Sequence, residues 1–250
     1  MKAPESQPLM QGLDPFGVPW TAQLEVKMAN EDVRRGFVRK VYGILATQLL
    51  WTVLIATPFQ FVGKLWLISN SWLFTFSMVM SLVLICALVC CRDAVRKWPT
   101  NEILLLGFTT CEGILVGFIC AHYSWQSIIF AGGVTCVVFL GLTIYAMFTE
   151  TDFTGYGIYL FMALNVLCCW SFAIMMLAVS GVELSWGLLI FDLCAVLMFS
   201  MYIVYDTQMI IGGKHEHQFT IDDYVIAALT LYLDIIQLFL HLLRLMGESD

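Results

Sequence analysis

Charge is what this sequence has least of. Only 12% of its 250 residues are Asp, Glu, Lys or Arg, against roughly a quarter in an ordinary soluble domain. Its 12 lysines and arginines form no basic stripe, so nothing in it is laid out to bind nucleic acid. The motifs of familiar chemistry are also missing: there is no HExxH, no GxSxG and no phosphate-cradling glycine loop, and the chain is not read as an enzyme. No CxxC pair or loop-based cysteine framework occurs among its nine cysteines, which all fall in or beside apolar runs and read as small buried hydrophobes. Cys90 and Cys91, next to Arg92 at a membrane edge, are weak acylation candidates. The first 36 residues are polar and lack the order of a cleavable signal peptide, so the first membrane helix is expected to do the targeting. No N-x-[ST] sequon is present.

What is there is hydrocarbon. Hydrophobic residues make up 60% of the chain and the mean hydropathy is +0.84. Seven apolar runs, at 41–62, 71–91, 102–121, 126–148, 157–180, 184–207 and 223–246, are each long enough to cross a bilayer as a helix. Alternating β patterning is negligible, and lipid cannot satisfy open backbone groups, so the fold class is all-α integral membrane with seven transmembrane helices. Residues 1–36 read as a flexible cytosolic tail and 37–250 as one membrane domain. Ten of the 12 basic residues fall on one side of this topology, with only Lys64 and Arg244 on the other, which places the N-terminus in the cytosol. Seven full crossings would then put the closing "GESD" outside or in a lumen.

The seventh run is the least regular, with Asp234, Gln237, His241 and Arg244 inside it, each costly against lipid. Either it is buried among the other helices or it re-enters and returns to the cytosol. Thr220 and Asp223 offer it a capping box. Gly113 and Gly117, a small-xxx-small pair in segment 3, read as a close helix-packing site.

Ionisable groups inside a membrane are functional candidates by default. Here they are Asp206, Asp234, Glu112, Asp192, His241 and Arg92. Asp234 and His241 are seven residues apart, so they share a helix face with Gln237 between them, and segment 7 carries one polar seam. Asp206 stands close to the end of segment 6 and Asp234 well inside segment 7, a depth difference of roughly 12 Å or more at the α-helical rise unless segment 7 begins below the membrane. Two readings stay open. The acids meet and share a proton, whose loss creates a site for a divalent cation; or Asp206 sits in headgroup water and Asp234 bonds a neighbour. Glu112 is either a protonated donor inside the bundle or part of an ion path. Asp192 either lines an outer vestibule or reaches the interface. His215 and His217, with no further ligand at defined spacing, read as a solvated loop.

Three stretches carry a resemblance. "FVRKVYGILATQLLWT" in the first span, "YDTQ" after segment 6 and "YVIAALTLYLDIIQLFLHLLR" near the end resemble the Bax-inhibitor-1-like (transmembrane Bax inhibitor motif) family, in its lifeguard branch. The resemblance implies six helices wrapped around a central polar seventh, and a pH-sensitive calcium leak from intracellular stores that suppresses apoptosis. It makes Asp206 and Asp234 the paired carboxylates that sense pH and hold calcium, and Arg92 their latch, with Arg96 as a substitute. Glu112 matches an acid common in the lifeguard branch, while Asp192 has no counterpart there. The implied setting is Golgi or endoplasmic reticulum, with the plasma membrane an alternative. Expected partners are membrane lipid, calcium ions, protons and cell-death or calcium-release proteins, with a homo-oligomer open and no cofactor beyond a calcium ion.

Three other functions compete. A non-conducting regulator would act only through protein partners. A seven-helix receptor conflicts with the cytosolic N-terminus, the absence of DRY and NPxxY, and a seventh segment without a lysine for retinal. An intramembrane aspartyl hydrolase lacks its GxGD context.

Overall fold

The structure is a computed structural model that describes residues 20–90, 99–181, 185–212 and 217–248, with side chains omitted over 20–30 and at 185. Eight α-helices occur in the described residues: α1 (Trp20–Ala56), the short α2 (Lys64–Ser69), α3 (Ser71–Cys90), α4 (Thr100–Cys120), α5 (Trp125–Phe148), α6 (Gly157–Val179), α7 (Ser185–Ile211) and α8 (Tyr224–Met246). All but α2 are long and apolar enough to cross a membrane. No strand occurs among the described residues.

The seven spans follow the apolar runs closely, with two extensions. α7 continues past segment 6 to Ile211, and α1 starts at Trp20, inside the stretch read as a tail. At 37 residues, α1 is roughly 55 Å long by its helical rise, well beyond the roughly 30 Å of hydrocarbon. Its first turns therefore stand clear of the apolar layer, and Arg34, Arg35, Arg39 and Lys40 mark where it enters.

Helix α8 is one uninterrupted 23-residue helix, so it does not re-enter. It is the most buried span, with 67% of its membrane window inside the protein against 6% for the span containing α6. The reason lies in its sequence: lipid would leave Asp234 and His241 unsatisfied, and small residues such as Ala227 and Ala228 let neighbours approach. It packs on α1, α4, α5 and α7, while α3 leans mainly on α4, and α6 on α7. The expected capping box does not form. Thr220 donates to the Asp223 carboxylate side chain to side chain, and a 3₁₀ turn (Ile221–Asp223) leads into α8.

The glycine pair in α4 does what its spacing suggested. A Cβ at Gly113 would lie 3.1 Å from the Ile55 side chain, and one at Gly117 would lie 2.5 Å from the Phe59 ring. The α1–α4 contact thus depends on the missing methyl groups. Gly117→Ala is expected to lower the thermal midpoint of the detergent-solubilised protein, at a cost of about 1–3 kcal/mol for overpacking. Gly133→Ala, where a Cβ meets nothing within 4 Å, should leave it unchanged.

Candidate carboxyl-pair site

The "YDTQ" stretch sits in the last turns of α7. Successive helical residues diverge by roughly 100°, so four in a row point to four different neighbours. Tyr205 lays its hydroxyl against Gly157 at the start of α6, where a Cβ would be only 2.6 Å from that oxygen. Asp206 turns to α8, where Asp234 and Thr230 face it. Thr207 faces Tyr42 on α1, although neither hydroxyl closes a hydrogen bond. Gln208 reaches the α5–α6 connection, donating from Nε2 to the Thr151 carbonyl (2.9 Å) and accepting at Oε1 from the Phe153 amide (2.7 Å).

The two acids therefore meet, and the reading with Asp206 in headgroup water is set aside: each is 6% exposed. The 12 Å offset shrinks for two reasons. With α7 ending at Ile211 and α8 starting at Tyr224, Asp206 is five residues from one end and Asp234 ten from the other, which leaves roughly 7 Å. Side chains also tilt toward the N-terminus of their own helix, so in this antiparallel pair the two carboxyls lean toward each other. A hydrogen bond between two carboxyl groups needs one proton between them. Asp234 Oδ2 is buried and takes no hydrogen bond from any amide or hydroxyl among the described residues, so only a proton shared with the other acid could satisfy it.

The polar seam of α8 also faces α7. His241 Nδ1 donates to Asp192 Oδ1 at 2.8 Å, and both side chains are buried. Arg244 Nη1 approaches the same oxygen at 3.3 Å from a half-exposed position. The His241 ring stacks on Phe199 (5.8 Å, 21°) and meets Phe191 edge-on. Asp192 thus neither lines an open vestibule nor sits at the interface; it is an internal anchor for α8. His241 serves that anchor rather than the carboxyl pair two turns away, and Gln237 lies half-buried between them. Glu112 is not brought to the pair either. It lies toward Ser81 on α3 and near Tyr232, whose side chain leaves α8 roughly 200° from that of Asp234.

Arg92 and Arg96, the two latch candidates, lie outside the described residues, as do Cys91, His215 and Glu216. Among the described residues no group of three or more His, Cys, Asp or Glu is placed to hold a metal ion. The carboxyl pair thus has two acidic side chains to offer calcium, and a full shell of six to eight oxygens would draw on hydroxyls, carbonyls or water.

Arg34 was missed in the sequence, where it counted only as a topology charge. Its guanidinium donates to three carbonyls, those of Ile211 (2.9 Å), Phe219 (2.8 Å) and Met209 (2.7 Å). It closes the exposed C-terminal carbonyls of α7 and ties them to the returning chain, where Phe219 also donates its amide to Met209 O. The positive φ of Gly212, 62°, turns the chain beneath the guanidinium. No spacing rule reports a side chain that caps another helix 175 residues away.

A model of the family described as inhibitor of apoptosis-promoting Bax1 matches residues 34–250. Protein lifeguard 3 of Homo sapiens is 32% identical over 223 residues, which cover 88% of this chain and 71% of that protein. Protein lifeguard 3 of Mus musculus is also 32% identical, over 224 residues, 88% of this chain and 72% of its own. Protein lifeguard 4 of Mus musculus is 35% identical over 221 residues, 88% of this chain and 87% of its own.

Arg34→Lys keeps the charge but not the three-way fork. It is expected to lose about 2 kcal/mol of stability through unmet carbonyls and to speed amide hydrogen exchange at 209–212 and 217–220. Exchange in α3 should not change; uniform acceleration across the protein would count against a local cap.

Proposed function

The chain belongs to the Bax inhibitor-1-like family, and from that premise we propose that it is a pH-sensitive leak for calcium from intracellular stores. Membership fits an anti-apoptotic multi-pass membrane regulator. The observation that supports the finer reading is the buried contact between Asp206 and Asp234. With one shared proton the pair carries a single negative charge and bridges α7 to α8. Without it, two carboxylates face each other out of water, and a divalent cation is the simplest counter-charge. Leak then increases as pH rises through the titration of the pair and falls on acidification. The protein catalyses no reaction in this scheme. It sits in Golgi or endoplasmic reticulum membrane with its N-terminus in the cytosol, and lowering store calcium is how it restrains cell death.

Calcium efflux from liposomes containing the full chain tests the scheme between pH 6 and 8. Wild-type flux is expected to rise with pH. Asp206→Asn and Asp234→Asn should each flatten that dependence, because one remaining carboxyl cannot share a proton with an amide in the same way. Flux and pH response equal to wild type in both variants would remove the paired-acid mechanism.

A further inference from the structure

Helix α6 stands at the edge of the bundle. Only 6% of the membrane window that contains it is buried, and Leu160 is its one buried residue. It leans mainly on α7, where Trp170 meets Phe191 edge-on at 5.8 Å. Leu160 and Trp170 each lie five residues from Asn165, and five helical steps turn a side chain by roughly 140°. Asn165 is therefore on the face turned away from α7, and it is exposed. It is the ninth of the 23 residues of α6, roughly 12 Å along the helix, so that face meets the hydrocarbon.

An amide there is hard to satisfy. Exposed hydroxyls manage alone: Thr47 and Thr75 each turn back and donate their single proton to the carbonyl four residues earlier. Asn165 does the same with one N–H, from Nδ2 to Phe161 O at 2.8 Å. A second N–H and the Oδ1 carbonyl are left over, and no group among the described residues meets either. Lipid offers them no partner, and polar side chains inside a membrane almost always face protein.

The residues around Asn165 have the spacing of a helix seam. Ile158, Met162, Asn165, Cys169, Phe172 and Met176 are all exposed and follow one another at alternating intervals of four and three. That rhythm keeps one stripe toward a partner helix, and a single polar residue within it fixes the register. Two copies of one chain insert the same way up, so a two-fold axis between them runs along the membrane normal. Each residue then meets its own counterpart at the same depth. A carboxamide suits that symmetry, because one N–H and one carbonyl from each copy can bond reciprocally.

We propose that two copies of this chain pair through parallel α6 helices, with their Asn165 amides hydrogen-bonded to each other within the seam. Apolar packing alone drives little association in lipid, so the amide pair gives the contact its specificity. The surface is separate from the carboxyl pair on α7 and α8, and the proposal does not rest on the calcium-leak reading.

Single-molecule photobleaching of the full chain in liposomes, over a series of protein-to-lipid ratios, reads the dimer directly. Wild type is expected to pass from one label per particle to two as its density rises. Asn165→Leu should weaken dimerisation by about tenfold. Because it puts hydrocarbon against hydrocarbon, its thermal midpoint should not fall. Asn165→Gln, which keeps the amide, should retain much of the association. Oxidation with copper–phenanthroline should join the copies through Cys168 or Cys169, one turn along the seam. Replacing both by serine should remove that product, and replacing Cys86 on α3 should not. A wild type that stays monomeric at every density overturns the proposal, since Asn165 then meets lipid or a different membrane protein. A dimer that Asn165→Leu leaves unchanged overturns it too, as does one cross-linked through α3.

Discussion

The arrangement depends on one constraint: a carboxyl group in a membrane bundle must face protein, and another carboxyl can serve only if a proton comes with it. Asp206 and Asp234 meet that condition across the α7–α8 contact, and much of the fold follows from holding the contact in place. It fixes which face of α8 turns to α7. On α7, Asp192, Phe199 and Asp206 recur every seven residues; on α8, Asp234 and His241 do the same. A seven-residue repeat keeps one seam on each helix facing the partner as two helices pack at a shallow angle. Here the seam is built from acids, a histidine and an aromatic ring rather than leucines.

The two ends of that seam are balanced differently. At one end Asp192 has a histidine within 2.8 Å and an arginine within 3.3 Å, so its charge has local compensation. At the other, Asp206 has Thr230 and another acid. Among the described residues no basic side chain stands at the second end, so there the loss of a proton changes the charge balance most. This asymmetry separates an anchor from a responsive site, although both consist of buried aspartates on the same pair of helices.

The architecture was legible in the sequence because membrane helices announce themselves by length and hydropathy, and seven runs became seven spans. The seam was legible too, since Asp234 and His241 stand at helical spacing. The meeting of Asp206 with Asp234 was implied by the family resemblance but not by spacing, because counting residues gives depth along each helix but neither where α7 ends nor how side chains lean. Asp192 was misread for a related reason: position along a span says nothing of which neighbour it faces. Arg34 was invisible because its ligands are backbone carbonyls, which every residue possesses.

The anchoring around "YDTQ" bears on what an ionised pair would do. Two unit charges about 4 Å apart repel by about 4 kcal/mol at an effective dielectric of about 20. Separating the helices would relieve this, but α7 is fastened there on every side. Arg34 holds two of its last carbonyls and bonds a third on the returning chain, Gln208 makes two more bonds, and Tyr205 is wedged against Gly157. Hydrogen bonds to a charged group contribute about 1.5–3 kcal/mol each, so releasing Arg34 alone would cost as much as the repulsion or more. Motion of the α7 end is therefore the expensive response and recruitment of a counter-ion the cheaper one. A fastened carboxyl pair is better suited to admitting a cation than to prising two helices apart, and the chain has placed its strongest cap five residues from the acid that would need it.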